Sequence, residues 1–290
     1  MQDTKLNIST NREHYDHNYA QVNAEALVAQ IRDLKRFFDD ATKTSTSWHG
    51  FYHGGFAERL GRKRVLELGC GDGLNALIMA SFGAEVVAVD ISHESGRILR
   101  EASCELQIEG LCVIVGDFAT IPFEPHSFDF VVGKAFLHHL THDLEDNYVA
   151  KAACLLKPCG EARFFEPAVN SRLLDALRWM IPVPGRPSIL MKRRFRKWKE
   201  LDPHPERDNS SDHFRRLGTK YFDSVDIVPV GSLERLCRLM PQGSFNRGFR
   251  RWAHRAELWL PMYLRMKAAR SQLIVFRRPR HSAESSASVH

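Results

Sequence analysis

Short apolar runs alternate with amphipathic stretches between residues 64 and 165. Strands are predicted where apolar residues follow one another, over 64–68, 85–89, 112–115, 128–132 and 162–165. Helices are predicted where apolar residues recur every three or four positions, over 74–82, 95–109 and 144–156. Gly83, Gly110 and Gly160 are expected to end these helices, because glycine is favoured just after a last helical turn. Such alternation favours a mostly parallel sheet with helices on both faces.

The flanks of this region follow other patterns. Residues 1–12 are polar and predicted to be disordered, whereas a helical pattern runs from 19 to 38. No strand pattern is found over 171–220, and strand candidates return at 225–230 and 272–276. The expected organisation is therefore an N-terminal helical segment over 1–60 and a main domain over 61–280. An insertion is expected within that domain over 171–220, and a disordered tail over 281–290.

A glycine-rich loop joins the first predicted strand to a helix. Residues 65–73 read Val-Leu-Glu-Leu-Gly-Cys-Gly-Asp-Gly, and a loop of this kind lets a ligand lie against bare backbone near the positive end of a helix. A dinucleotide-binding loop would need a third small residue where Leu74 stands. The carboxylate of Asp72 would also be unfavourable beside a pyrophosphate, which argues against a nicotinamide cofactor.

The spacing of Glu67 and the three glycines, Glu-x-Gly-x-Gly-x-Gly, resembles motif I of the class I S-adenosylmethionine-dependent methyltransferases. Residues 156–160, Leu-Lys-Pro-Cys-Gly, are similar to the family's turn before strand five, although Cys159 replaces a glycine. The resemblance implies S-adenosyl-L-methionine as the cofactor. It also implies a Rossmann-like, mostly parallel seven-stranded sheet with helices on both faces, in which 272–276 forms an antiparallel last strand beside 225–230.

Candidate cofactor-binding residues follow from the spacing and from the resemblance. Asp90 ends the second strand, 21 residues after Gly69, where a carboxylate can accept both ribose hydroxyls. The resemblance implies that Asp117 accepts a hydrogen bond from the adenine amino group, that Phe118 lies against the ring, and that Tyr15 and Tyr19 cover the cofactor. The full predicted set is Tyr15, Tyr19, Glu67, Gly69, Cys70, Gly71, Asp90, Ile91, Asp117, Phe118 and Lys134.

Two adjacent histidines are the candidates for a catalytic base. His138 and His139 follow strand four, at the sheet edge where α/β proteins bind ligands, and histidine titrates near neutral pH. The sequence does not separate the two, and both could instead shape the pocket. No metal is expected, because the six cysteines form no C-x-x-C pair and no nearby histidines complete a zinc site.

Charge is divided unevenly between the two halves of the chain. Residues 1–169 carry 16 Lys and Arg against 24 Asp and Glu, whereas 170–280 carry 25 against 10. The basic, aromatic insertion has three interpretations: a cover over a hydrophobic or anionic small molecule, a peripheral membrane contact through 177–199, or an RNA-binding face. Nucleic acid is the less favoured partner, since residues 133–136 read Gly-Lys-Ala-Phe instead of the Asn/Asp-Pro-Pro-Tyr/Phe of adenine-amino methyltransferases.

The sequence thus predicts a methyltransferase that acts on O or N of a small or lipid-like molecule. An RNA methyltransferase and a catalytically inactive methyltransferase-fold binding protein are the alternatives. A cytoplasmic location, with or without peripheral membrane contact, is expected from the polar N-terminus and from the lack of an apolar run of about 20 residues. The sequence leaves the oligomeric state open.

Overall fold

The computed structural model describes residues 2–183, 186–200 and 205–280, with side chains from residue 8 onward. Its strands are β1 Arg64–Leu68, β2 Glu85–Asp90, β3 Leu111–Val115, β4 Phe128–Lys134, β5 Leu156–Pro167, β6 Phe222–Val230 and β7 Ser271–Pro279. They form one seven-stranded sheet in the order β3-β2-β1-β4-β5-β7-β6. β7 runs antiparallel to both β5 and β6, and the other pairs are parallel. The predicted fold class is confirmed.

Helices surround the sheet. They are α1 Gln2–Tyr19, α2 Ala24–Ile31, α3 Leu34–Thr44, α4 Thr46–Phe51, α5 Leu74–Ser81, α6 His93–Glu105, α7 His142–Leu155, α8 Arg172–Met180, α9 Lys192–Glu200, α10 Ser211–Tyr221, α11 Ser244–Ala256 and α12 Met262–Ala268. Short 3-10 turns lie at Ala57–Arg59, Leu137–His139, Glu234–Leu239 and Glu257–Trp259. No helix within the described ranges is long and apolar enough to span a bilayer.

The N-terminal segment differs from its prediction. Within residues 1–12, everything from Gln2 onward is helical, because α1 is held by tertiary contacts that local polarity does not reveal. Asp16 accepts hydrogen bonds from Ser92 Oγ at 2.7 Å and from the Glu94 amide at 3.3 Å. The single helix predicted over 19–38 is instead two helices, because Asn23 caps α2 and Asp33 caps α3.

Gly160 does not end a helix, contrary to its prediction. α7 ends at Leu155 and β5 begins at Leu156, so Gly160 lies inside the strand. A Cβ atom there would lie 2.9 Å from the Lys157 carbonyl oxygen, so close backbone packing accounts for the glycine. The predicted tail, 281–290, lies outside the described residues.

Side chains on the two faces of the sheet build two separate hydrophobic cores. Along β1, Val65 packs toward α2–α6, whereas Leu66 and Leu68 pack toward α7 and α10. This alternation follows from the two-residue period of a strand. Glu67 therefore faces the same side of the sheet as Val65. In contrast, α8, α9 and α12 bury none of their described residues.

The buried carboxylate of Glu234 links two segments of the basic half of the chain through arginine side chains. Glu234 accepts from Arg250 Nε at 2.7 Å and from Arg270 Nη1 at 3.0 Å. Burial alone would raise the pKa of Glu234, but the Arg270 charge, a bond from Thr46 and the Arg250 charge lower it to about 2. Since this pKa lies below the unfolded value near 4.5, the carboxylate contributes stability at neutral pH that is lost as pH falls from about 4.5 toward 2.

Glu234→Gln should therefore lower the free energy of unfolding at pH 7 by about 3 kcal/mol or more, because two partly buried arginines lose their counter-charge. The difference from the wild type should shrink between pH 5 and pH 3, because Glu234 takes up a proton in the unfolded wild-type chain while it stays ionised in the folded one. Urea denaturation at several pH values measures this, with the exposed Glu109→Gln as the matched control. A difference that does not change with pH would contradict the assignment.

Candidate functional site

The glycine-rich loop after β1 is held in a conformation that a side chain would disturb. Gly69 and Gly71 have φ angles of 65° and 58°, in the left-handed region that favours glycine. A Cβ atom on Gly69 would lie 2.4 Å from the Phe136 ring, and one on Gly71 would lie 2.9 Å from Tyr19 Oη. The loop backbone thus stays open to a ligand, while Phe136 and Tyr19 approach it from two other elements.

Asp90, at the end of β2, links the loop to the neighbouring strand. Its Oδ2 accepts from the Gly71 amide at 2.9 Å and its Oδ1 from the Ser92 amide at 2.9 Å. Burial raises the pKa of Asp90, and the amide donors oppose that shift. Each carboxylate oxygen keeps a further lone pair, so the group can still accept hydroxyl donors from a ligand in the adjoining cavity.

Glu67 supplies a buried carboxylate to the floor of that cavity. Its Oε1 accepts from Asn75 Nδ2 at 2.6 Å, and Tyr52 Oη donates to Asn75 Oδ1 at 2.9 Å. Its Oε2 is buried without a hydrogen-bond partner among the described residues. Burial raises the pKa of Glu67 and lowers that of Lys134, whose Nζ lies 4.0 Å from the centroid of the Trp48 ring. A cationic donor in the cavity would satisfy the unpartnered oxygen.

Helix α1 forms one wall of the same cavity. Ile8, Asn11, Tyr15 and Tyr19 recur every three or four residues, so they share one helix face, and all four line the cavity. The Tyr15 and Tyr19 rings are stacked with their centroids 5.6 Å apart. Burial, followed by the charge of Asp90, raises the pKa of Tyr19, so its hydroxyl stays protonated.

Asp117 and Phe118 lie where β3 ends. Phe118 is buried and lines the cavity, whereas Asp117 is half-buried and does not line it. Asp117 Oδ1 accepts from Tyr148 Oη at 2.5 Å and from the Ala119 amide at 2.8 Å. The Tyr148 ring, which itself lines the cavity, therefore separates part of Asp117 from the open space.

The loop after β4 is fixed by one buried carboxylate. Glu166 Oε1 accepts from the amides of Phe136 at 2.9 Å and Leu137 at 2.7 Å, and Oε2 accepts from His138 Nδ1 at 2.6 Å. Ala135, which begins the loop, has a φ of 59°, a strained value for a residue with a side chain. The loop is thus held in one conformation at the edge of the sheet where the parallel strands end.

The two histidines that sequence could not separate face different cavities. His139 lines the cavity beside the glycine loop and lies 3.1 Å from Tyr15 Oη. His138 lines a second cavity, and Ala135 lines both. The two cavities therefore meet at the strained loop.

The first cavity, of about 330 Å³, gathers most of the predicted cofactor residues. Those that line it are Tyr15, Tyr19, Glu67, Gly69, Cys70, Gly71, Asp90, Ile91, Phe118 and Lys134. The residues fit S-adenosylmethionine. The unpartnered carboxylate oxygen suits its ammonium group, and the open glycine backbone leaves room for its sulfonium centre. The second carboxylate suits its ribose, and the apolar walls suit its adenine. Asp117 is the predicted residue that falls outside the lining set.

Comparison with known proteins agrees with this geometry. Residues 65–160 match a family model described as a methyltransferase domain. Residues 65–160 are therefore a methyltransferase domain, as the resemblance implied. A 99-residue stretch of the chain is 37% identical to the ubiquinone biosynthesis O-methyltransferase of Xanthomonas campestris, covering 33% of the chain and 40% of that relative. A 150-residue stretch is 29% identical to the Escherichia coli bifunctional methyltransferase/kinase WbdD, covering 50% of the chain and 21% of that relative.

Solved structures share the fold over a longer range. A putative methyltransferase of Haloferax volcanii, in complex with the Trm112 activator, aligns over 89% of this methyltransferase and all of its own chain, with 15% identity and a TM-score of 0.52. The phosphoethanolamine N-methyltransferase 2 of Haemonchus contortus aligns over 89% of this chain and 61% of its own, with 16% identity and a TM-score of 0.51. The chain thus aligns with under half the length of the curated relatives above. Its fold aligns with a larger share of the solved structures.

Sequence reasoning missed several residues that shape the site of this methyltransferase. Asn75 and Tyr148 were absent from the prediction because each lies on a helix whose pattern indicates only packing. Glu166 ends a buried strand, and its position inside an otherwise apolar run was the available signal. Asn11 lay in a segment predicted to be disordered, so its place in the cavity wall could not be inferred.

Within the part of the chain that the structure describes, two groups of histidine and glutamate side chains lie close enough to share an ion. They are His49, His254 and Glu257, and His142, Glu145 and His213. Each carboxylate is already engaged: Glu145 accepts from Arg207 and from His213 Nε2, and Glu257 accepts from the backbone amides of Gly231 and Ser232. These bonds hold loops together, and we assign neither group to a metal.

Asp90→Ala should weaken binding of S-adenosylhomocysteine by about 100-fold or more, because two charge-assisted hydrogen bonds are worth about 1.5–3 kcal/mol each. Calorimetric titration measures the affinity, and thermal unfolding checks that the variant is folded. Asp39→Ala, at an exposed position, is the matched control. Unchanged affinity in a folded Asp90→Ala protein would refute the role of Asp90 in binding.

Proposed function

We propose that the protein transfers a methyl group to O or N of a small or lipid-like molecule. The observation that carries this proposal is the meeting of two cavities at Ala135. One cavity contains the residues that fit the cofactor, and the other contains His138, a candidate base. The relatives named above include an O-methyltransferase of ubiquinone biosynthesis, which supports a small acceptor.

Bound S-adenosylmethionine supplies an electrophilic methyl group, so the protein's task is to position the acceptor. Asp90 would accept the ribose hydroxyls, and Glu67 would accept from the amino-acid part. Gly69 and Gly71 leave room for close approach of the ligand to the backbone. Tyr15 and Tyr19, on α1, would cover the ligand and exclude water.

A histidine–carboxylate pair supports proton removal from the acceptor. Because the amides of Phe136 and Leu137 already donate to Glu166, its carboxylate serves as an acceptor, and His138 donates a hydrogen bond to it from Nδ1. Nε2 is then the ring nitrogen that takes up a proton, and Glu166 would stabilise the resulting imidazolium. His138 lines the second cavity, so a hydroxyl acceptor bound there would give its proton to His138.

The two histidines should respond differently to the same change. With an acceptor identified by screening lipids and aromatic acids, His138→Gln should lower kcat about 100-fold or more while leaving the affinity for S-adenosylhomocysteine intact. His139→Gln should mainly weaken cofactor binding, because His139 lines the first cavity. Initial rates and calorimetric titration of both variants separate these effects.

Unchanged kcat in His138→Gln would rule out His138 as the base and favour an acceptor that needs none. No binding of S-adenosylhomocysteine by the wild type would favour the inactive binding protein instead.

We also propose that residues 177–199, described except at 184 and 185, contact a membrane surface. Leu190 is 69% exposed, and Leu177 and Met180 are each 46% exposed. The cations of α9 are exposed beside these apolar side chains. Basic charges next to exposed apolar side chains favour anionic bilayers, where each Lys or Arg contributes about 1 kcal/mol. This interpretation suits a lipid-like acceptor and a cytoplasmic protein bound peripherally.

Arg193→Gln combined with Leu190→Ser should reduce sedimentation with anionic vesicles several-fold, since one charge and one apolar anchor are removed. Vesicles of phosphatidylcholine alone should bind neither protein. Arg32→Gln combined with Leu258→Ser, both at exposed positions outside residues 177–199, is the control. Equal sedimentation of the variant and the wild type would contradict the contact, and salt-dependent retention on single-stranded RNA would favour the RNA alternative.

A further inference from the structure

The second cavity, of about 290 Å³, is lined by an unusual concentration of cations. They are Arg178, Arg186, Arg235, Arg238, Lys267 and Arg270, whereas Asp175 is the carboxylate among the lining residues. From these contacts we propose that this cavity, here called the cationic pocket, binds a phosphate or diphosphate group carried by the methyl acceptor. The inference rests on the proposed function, because the pocket serves methyl transfer only if the cofactor lies in the adjoining cavity.

Most of these cations lack a carboxylate partner. Arg270 is paired with Glu234 at 3.0 Å, and Arg178 lies 3.6 Å from Asp175. The remaining cations have no carboxylate oxygen within 4.0 Å in the described ranges; they are Arg186, Arg235, Arg238 and Lys267. Uncompensated charge of one sign in a cavity raises the local concentration of the opposite charge.

The charged guanidinium of Arg186 is buried and held in place by hydrogen bonds. The residue is only 9% exposed, and its Nη2 donates to the carbonyls of Arg178 at 2.6 Å and Ile181 at 3.0 Å. Its guanidinium lies 4.5 Å from the centroid of the Trp179 ring. Its Nη1 is buried and has no hydrogen-bond partner among the described residues. A buried guanidinium donor without an acceptor is costly unless a ligand satisfies it.

The cations also destabilise one another. Burial, followed by the charge of Arg178, lowers the pKa of Arg186. Burial and then the charges of Arg178 and Arg270 lower the pKa of Arg235. A bound anion would relieve this repulsion.

The charge to be balanced favours a phosphate over a carboxylate. Four cations without carboxylate partners are matched better by a group with two or more negative charges and several acceptor oxygens. Arginine forks bind phosphate oxygens in pairs, and Arg235 is already positioned by donation to the Ala268 carbonyl at 3.0 Å. Lipid headgroups and soluble phosphorylated molecules share this chemistry.

The position of the cationic pocket connects the anion to the chemistry. His138 and Ala135 line the pocket on the side of the first cavity. A phosphate held by the arginines would place the rest of the acceptor toward His138. The cations would thus orient the acceptor, and His138 would act on it.

The test is calorimetric titration of the full chain with pyrophosphate and with inorganic phosphate, at low salt. Arg238→Gln and Arg235→Gln should each weaken pyrophosphate binding about tenfold or more, which is the loss of one charge-assisted hydrogen bond. Arg238 is exposed, and no hydrogen bond to it is found in the described ranges, so its variant should fold normally. Arg215→Gln, an exposed arginine outside both the pocket and residues 177–199, should change the affinity less than twofold.

Soluble dihexanoyl phosphatidic acid, against dihexanoyl phosphatidylcholine, tests the lipid source. Tighter binding of phosphatidic acid than of pyrophosphate would assign the pocket to a lipid headgroup, and the reverse order would assign it to a soluble phosphorylated molecule. No saturable binding of any phosphate probe, or equal weakening by Arg215→Gln, would overturn the inference.

Titration with S-adenosylhomocysteine keeps the two proposals apart. Cofactor binding without phosphate binding would contradict the proposed anion site in the cationic pocket and would leave the proposal of methyl transfer unaffected. Phosphate binding without cofactor binding would leave the anion site and remove the proposed reaction.

Discussion

The carboxylate of Glu166 is the interaction on which the arrangement of this site depends. It is fully buried, and the amides of Phe136 and Leu137 and the ring of His138 donate to it. These hydrogen bonds to a buried carboxyl group hold the loop after β4 in place. The resulting conformation puts Ala135 at the junction of the two cavities, and it turns His138 and His139 toward different ones. One side chain thus fixes the loop that lies between the two cavities.

The first half of the chain provides a stable frame, and the second half holds uncompensated charge. In the frame, Asp90 and Glu67 are bound by amide and side-chain donors between two hydrophobic cores. In the basic half, α8, α9 and α12 bury none of their described residues. Excess charge of one sign lowers the stability of a folded protein. A bound anion, as proposed for the cationic pocket, would offset this destabilisation.

Local signals explain why much of the fold was predictable. The glycine loop and Asp90 belong to one strand–helix–strand unit, in which spacing along the chain fixes spacing in the structure. The seven-stranded, mostly parallel sheet and the antiparallel β7 beside β6 followed from the resemblance. By contrast, the placement of α1 depends on the contact between Asp16 and residues 92–94. No local pattern in residues 1–12 indicates that contact. The roles of Glu166 and Tyr148 also arise from pairing between distant segments, so sequence alone could not assign them.

The adjacent histidines illustrate the same limit at the scale of one residue. His138 and His139 have the same chemistry and nearly the same position, so the sequence offered no reason to prefer either. The 3-10 turn at Leu137–His139 directs their rings to different partners, Glu166 for one and Tyr15 for the other. A hydrogen bond to a buried carboxylate fixes the orientation of an imidazole ring. The two rings therefore differ in the partner that each contacts: β5 supplies Glu166 to His138, and α1 supplies Tyr15 to His139.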